Sequence, residues 1–235
     1  MNAVVGWLFY WFTTHGLRVV LWVYSRWEVV GRKHIPRRGP AILAANHINM
    51  IDPPLLATCL RRRATFLGKA ELFEIPFWGY LYKQYGAIPV HRHRADLAAV
   101  RQAVQALRKG HIVVTFPEGT RSRDARLARG HPGIAMIAMR SGAPVIPIAI
   151  SGSEVVKLPG IFLRALVRRP KVRVVIGEPF YLPTSARARG EEIKQGTNII
   201  MEQIAALLPE PYRGEYAYIG EGPPSASVER TEIPS

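Results

Sequence analysis

The sequence predicts an α/β protein: a central sheet, mainly parallel with a mixed sheet as the variant, flanked by helices on both faces and preceded by an N-terminal membrane-associating helix. Three observations predict it. Short continuous apolar runs such as Ala41–Ala45, Ile112–Phe116 and Pro144–Ile150 have the composition of strands buried on both faces, the mark of a parallel sheet. These runs alternate with longer segments of helical periodicity, the order that builds layered α/β folds. Gly, Pro and Asp punctuate the joints, as at Asp52-Pro53 and Lys109-Gly110. On this basis the chain divides into an amphipathic helix over 1–27, a core domain over 28–208 and a tail over 209–235 that is expected to be disordered, being rich in Pro, Gly, Ser and Glu.

Residues 3–24 are rich in Trp, Phe, Leu and Val and approach the ~20 residues of a membrane span, but His15 and Arg18 interrupt them. Wound as a helix, Trp7, Trp11, Thr14, His15, Arg18, Trp22 and Ser25 fall on one stripe. Tryptophans beside a polar stripe suit a helix lying in the headgroup region with its apolar face down. A true span is one alternative, in which Arg26, Arg32, Lys33, Arg37 and Arg38 would hold the core domain on the cytoplasmic side. A helix simply packed on the domain is the other. No basic start or small-residue cleavage site marks a signal peptide.

Trp27–Gly31 has the pattern of a first strand, and Arg37-Arg38-Gly39-Pro40 turns the chain into the strand Ala41–Ala45. Asp52 is placed to cap a helix over Pro53–Arg62, with Pro53 at its first position. Thr65–Leu67 then forms a short strand that delivers Lys69 and Glu71 to its carboxyl end. The aromatic stretch Ile75–Tyr82, broken by Pro and Gly, either packs as core or lines a greasy channel; the channel is the expectation. Ala87–Val90 is a strand leading into His91-Arg92-His93-Arg94. Histidines two apart on a strand share a face, but no cysteine or carboxylate pattern accompanies them, so no metal site is expected. Asp96–Lys109 is an amphipathic helix burying Leu97, Val100, Val104 and Leu107, ended by Gly110. After Ile112–Phe116, a helix opens at His131-Pro132-Gly133 and ends near Gly142; strands Pro144–Ile150 and Val172–Ile176 and a helix over Glu191–Leu208 complete the core.

Composition narrows the function. The 235 residues suffice for one good core, and the 48% hydrophobic content fits a globular protein with some extra apolar surface. The formal net charge of +15 is spread over small arginine groups rather than one tract. Such a surface suits an anionic membrane or phosphorylated and acidic substrates, if it does more than keep the protein in solution. Nucleic acid fits poorly, because no zinc knuckle, RNP-like aromatic signature or base-reading basic helix is present. The single cysteine, Cys59, excludes an intramolecular disulfide, fits a reducing compartment and is expected to pack in the core.

Two stretches carry chemistry: Asn46-His47-Ile48-Asn49-Met50-Ile51-Asp52 and Phe116-Pro117-Glu118-Gly119-Thr120-Arg121. Each follows a buried strand, and loops at strand carboxyl ends gather on the rim where open α/β sheets bind ligands. His47 sits in a strand-to-helix loop, and Asp52 can reach back to its ring. The carboxylate would hold one imidazole nitrogen protonated and leave the other free to take a proton. The same rule brings Lys69, Arg92, Glu118 and Arg121 near His47. Together the stretches resemble the glycerolipid acyltransferase family that includes 1-acylglycerol-3-phosphate acyltransferases, whose hallmarks N-H-x-x-x-x-D and F-P-E-G-T-R are intact. Phe66–Phe73 and Val145–Ala149 match two weaker blocks, and the resemblance covers roughly residues 28–180 in order.

The resemblance implies transfer of a fatty acyl chain from acyl-CoA or acyl carrier protein onto a lysolipid such as 1-acylglycerol-3-phosphate, with no cofactor beyond the donor. His47 and Asp52 are the catalytic pair it implies; Lys69, Arg92, Glu118, Gly119, Thr120 and Arg121 are substrate-binding. Arg121 offers a planar fork suited to phosphate and Lys69 a point charge. Glu118 is expected to accept a hydrogen bond from a glycerol hydroxyl or to fix Arg121, and Gly119 to let the chain approach a ligand closely. Asn49 stands where the family commonly has serine, and His131 where lysine is often found, which touches the identity of the acceptor headgroup. Ser122 is not in a nucleophile-elbow pattern, which argues against serine hydrolysis. Hydrolysis of a thioester or phosphoester by the same His/Asp pair, with or without a metal, and a non-catalytic basic binder of a membrane surface or nucleic acid are the rival classes.

Overall fold

A computed structural model describes residues 12–16, 18–20, 23, 25–91, 96–156, 169–185 and 188–218. Seven strands form one sheet: β1 (Arg26–Val30), β2 (Ala41–Ala45), β3 (Ala64–Lys69), β4 (Ile88–Val90), β5 (Ile112–Thr115), β6 (Val145–Ser151) and β7 (Lys171–Ile176), in the order β1-β7-β6-β2-β5-β3-β4. The five strands from β6 to β4 pair in parallel. β7 is antiparallel to β6 and parallel to β1, so these two run against the rest. The sheet is therefore mixed and mostly parallel.

Among the described residues after β1, five α-helices accompany it: α1 (Asp52–Cys59), α2 (Pro76–Gln84), α3 (Leu97–Arg108), α4 (Gly133–Ser141) and α5 (Gly190–Leu207). The pleat sends alternate residues to opposite faces. Ile42, Ala44, Val113, Val145 and Ala149 pack under α3, α4 and α5 through Val104, Leu107, Ile137, Ile200 and Ile204. Leu43, Ala45, Val114, Ile146 and Ile148 meet Leu55, Leu56 and Cys59 of α1 on the other face. β2 is consequently buried at every residue, which is why its sequence lacks a polar alternation. Cys59 packs in this second core, and burial pushes its thiol up to about 11. At α3 the Asp96 carboxylate accepts the Ala99 N–H at 2.9 Å and caps the helix.

Two expectations need correction. The aromatic stretch at 75–82 becomes α2, a surface helix rather than a channel wall. Gly79 lies where a Cβ would be 2.2 Å from the Phe73 carbonyl oxygen, and Tyr82 covers Gly68, so this side seats the helix. Ile75, Phe77 and Tyr80 are left exposed, Phe77 by 69%. The tail does not lose structure at 209. Two 3-10 turns, Glu210–Tyr212 and Gly214–Tyr216, follow α5. Tyr216 is buried, and the Leu127 N–H and carbonyl pair with Tyr212 and Glu215. Residues 219–235 lie outside the described residues.

At the other end, residues 12–16, 18–20 and 23 are helical. Thr13 and Thr14 hydroxyls meet the Tyr85 hydroxyl at 2.8 and 3.4 Å. Of the predicted polar stripe, Thr14 and Ser25 are buried while His15 and Arg18 are exposed; Trp7, Trp11 and Trp22 lie outside the described residues. Phe12, Val19, Val20 and Val23 are exposed. Among the described residues no helix is long and apolar enough to cross a membrane.

Candidate active site

The site begins where β2 ends. Asn46 is buried, and its side chain donates to the Ile150 carbonyl at 2.9 Å and accepts the Ile150 N–H at 2.7 Å. It thus extends the pairing with β6 while the backbone turns away. The next residue, His47, is turned so that its Nδ1 lies 3.0 Å from Asp52 Oδ2. Asp52 is not the helix cap. Ile51 occupies that position, and Asp52 is the first residue of α1. Its Oδ2 instead accepts the backbone N–H groups of Ile48 at 2.8 Å and Asn49 at 2.7 Å, folding the loop back over the carboxylate.

The second loop holds this one in place. The His47 ring stacks on Phe116 with centroids 4.3 Å apart. Glu118 Oε1 accepts the His47 N–H at 2.8 Å, Oε2 accepts the Ala128 N–H at 3.0 Å, and the Ser122 N–H donates to the His47 carbonyl at 2.8 Å. Glu118 therefore departs from the expected task of fixing Arg121. At 3% exposure it braces three loop segments through backbone donors, and among the described residues no ion pair joins it to Arg121. Burial raises its carboxyl to about 7, against the Ala128 and His47 N–H groups that pull it down; the nearby Asp52 charge adds to the rise.

Gly119 has φ +65°, and a Cβ there would stand 2.6 Å from Cδ2 of His131. Its lack of a side chain thus admits the His131 imidazole, and the backbone N–H of His131 donates to the Pro117 carbonyl at 2.8 Å. His131 joins the site edge from two residues before α4. Thr120 and Arg121 are exposed on the rim beside it. Lys69 ends β3 on the same rim but lies 3.3 Å from its neighbour Glu71 in a half-exposed ion pair, so its charge is already shared. β5 separates β3 from β2, so Lys69 stands two strands away from the His47 loop. Arg92 lies outside the described residues. Ser122 donates its hydroxyl to Asp124 at 2.8 Å, within its own turn.

Sequence reading missed the third wall. Asn49 Nδ2 donates to the carbonyls of Ser153 at 2.6 Å and Val156 at 2.9 Å, and the Ser153 hydroxyl donates to Asp52 Oδ1 at 2.7 Å. Nothing in the pattern around Ser153 signals this partnership, because the partners are 101 residues apart. The side chain of Asp52 is 0% exposed and that of His47 13%. The carboxylate is dry, and the imidazole can be touched. With Nδ1 on Asp52, Nε2 is the ring nitrogen left to accept a proton.

A dry carboxylate orienting a reachable imidazole, on the carboxyl-end rim of an α/β sheet, defines a site able to activate a hydroxyl by general base. Residues 26–151 match the family described as Acyltransferase. That match spans more than half the chain, and the protein belongs to this family. It is 28% identical over 166 residues to the chloroplastic 1-acyl-sn-glycerol-3-phosphate acyltransferase BAT2 of Brassica napus, covering 69% of this chain and 47% of that protein. It is 28% identical over 185 residues to the 1-acyl-sn-glycerol-3-phosphate acyltransferase of Bacillus subtilis, covering 78% and 88%. A lyso-ornithine lipid O-acyltransferase of Pseudomonas aeruginosa is 33% identical over 115 residues, or 48% and 44% of the two chains. The chain thus spans about half the length of the plant relative it matches. The crystal structure of the 1-acyl-sn-glycerophosphate acyltransferase of Thermotoga maritima superposes with a TM-score of 0.59 at 28% identity, covering 79% of this chain and 73% of that one.

Proposed function

We propose that this protein transfers a fatty acyl chain from acyl-CoA or acyl carrier protein to 1-acylglycerol-3-phosphate, making phosphatidate at a membrane surface. The observation that carries the reading is the 3.0 Å contact from His47 Nδ1 to the buried Asp52, beside the loop that bears Arg121. His47 Nε2 takes the proton of the acceptor hydroxyl as its oxygen bonds to the thioester carbonyl carbon. The carbon–sulfur bond then breaks, the thiolate leaves with the electron pair, and the imidazolium returns its proton to sulfur or water. Thiolate is a good leaving group, so no acyl-enzyme is needed. Arg121, exposed on the rim, binds the acceptor phosphate through its fork. The names of the Brassica, Bacillus and Thermotoga relatives support this acceptor.

The exposed apolar residues Val19, Val20 and Val23 before β1, Met50 in the loop after β2, and Ile75 and Phe77 at the start of α2 support docking on a bilayer. The net charge of +15 suits an anionic leaflet and the acidic carrier protein. A second acceptor has its own support: the Pseudomonas relative is named for a lyso-ornithine lipid, and His131 at the site edge offers an imidazole where a fixed cation would favour phosphate.

Purified protein in detergent with labelled acyl-CoA and a panel of lysolipids, read by product mass, tests the reading. Phosphatidate is the expected product, and a panel product lacking phosphate would move the assignment to the second acceptor. His47→Ala is expected to lower transfer by about 10²–10⁴-fold with its circular dichroism unchanged. A folded His47→Ala protein that keeps most of its activity would refute the general-base role.

A further inference from the structure

Asp52 gives each oxygen to a different segment of the chain. Oδ2 takes the Ile48 and Asn49 N–H groups and faces His47, whereas Oδ1 takes the Ser153 hydroxyl at 2.7 Å. Ser153 is 0% exposed and opens the 3-10 turn Ser153–Val155 beyond β6. That turn is held firmly. Gly152 before it has φ +80°, and a Cβ there would lie 2.1 Å from the Lys171 carbonyl oxygen. Asn49 grips the same turn from the motif loop through the Ser153 and Val156 carbonyls. Loop and turn therefore hold each other in both directions, two bonds by side chain to backbone and one by side chain to side chain.

We propose that Ser153 is a positioning residue for acyl transfer: its hydroxyl pins Asp52 Oδ1 so that Oδ2 stays on His47 and the ring keeps its orientation. The inference rests on the acyltransferase reading above. A carboxylate rotates easily about its last bond, because that torsion is broad and two-fold. A fixed donor on each oxygen blocks the exchange. The hydroxyl also draws part of the negative charge to the oxygen away from the imidazole, which weakens the pull of Asp52 on an imidazolium. In a carboxylate with no exposed surface, solvent does not supply that second donor. The titratable groups set around His47 are Asp52 on its own loop and Glu118 from the loop after β5, with Asp124 acting on Glu118 from further along.

The test uses the full chain carrying S153A, S153C and S153T. S153C is nearly isosteric with a weak donor, which guards against a truncation that fails to fold, and S153T keeps the hydroxyl. Steady-state kinetics with acyl-CoA and lysophosphatidate are followed across the neutral pH range, and the His47 ring is titrated by NMR without substrate. S153A and S153C are expected to lower kcat on the order of tenfold, the scale of a small misplacement of a catalytic group, with KM for both substrates little changed. The acid limb of kcat/KM and the His47 titration are expected to move together to higher pH, and S153T to restore both. An unmoved His47 titration in folded S153A and S153C overturns the proposal, as does a loss of kcat with the pH profile unchanged. If the wild-type protein forms no acylated lipid, the acyltransferase reading fails on its own, and the ring titration still decides the role of Ser153.

Discussion

Glu118→Gln separates the two things that Glu118 does. Its two oxygens each accept a backbone N–H, from His47 at 2.8 Å and from Ala128 at 3.0 Å. A carboxamide offers one acceptor oxygen and one NH2, so one of these buried donors must face another donor. Leaving a buried donor unsatisfied costs about 1–3 kcal/mol. Against this stands the cost of burying the charge. The carboxyl rises from 4.5 to about 7 on folding, chiefly by burial. At about 1.4 kcal/mol per decade of acidity, that step amounts to roughly 3 kcal/mol. Because the folded value is the higher one, the folded state holds the extra proton between pH 4.5 and about 7. The stabilisation is complete below 4.5 and is lost as pH rises through about 7.

Glutamine does not titrate, so the variant lacks this pH dependence. At pH 5 Glu118→Gln is expected to be less stable by about 1–3 kcal/mol, a fall in Tm of about 2–4 °C per kcal/mol for a chain of this size. Near pH 8 the relief from the buried charge offsets the lost bond, and the two melting temperatures approach each other. Activity does not recover with stability, since the brace between the His47 loop and the Ala128 segment is broken on one side; kcat is expected to stay at least about tenfold down. Thermal melts of both proteins from pH 5 to 8, paired with transfer rates at pH 8, measure this. Parallel Tm curves would show that Glu118 does not titrate in the window, and a full kcat at pH 8 would show that the brace is dispensable.

Two further perturbations follow from the same geometry. Gly119→Ala puts an L side chain at φ +65° and drives its Cβ into the His131 ring, so a loss of about 1–2 kcal/mol and a weakened acceptor KM are expected; a melt and a KM equal to wild type would contradict the contact. Phe77→Ser removes the most exposed aromatic residue of α2, and sedimentation with anionic vesicles should show weaker binding while turnover on detergent-dispersed substrate is unchanged. Equal vesicle binding would remove α2 from the membrane-facing surface.

How far the sequence could be read depended on the range of each interaction. The His47–Asp52 contact was legible because only five positions separate the partners and one loop closes them. The α/β layering was legible too, since apolar runs and helical periodicity are local properties. Strand direction was not. Val172–Ile176 is an apolar run whichever way it points, and only pairing against β6 made it antiparallel. Lys171 and Arg173 are exposed while Val172, Val174 and Ile176 are buried, so the alternation of a half-covered strand was present but carried no direction.

By itself, then, the sequence determined the strands and most of the helices, α2 excepted, and which two loops carry the imidazole, the carboxylates and the arginine. The tertiary structure alone decided what those groups touch. Glu118 became a brace because folding brought a backbone N–H 71 positions away within 2.8 Å, and Asp52 acquired Ser153 from 101 positions away. Such contacts depend on how β2, β5 and β6 lie side by side, an arrangement set by the packing of the whole sheet and its helices.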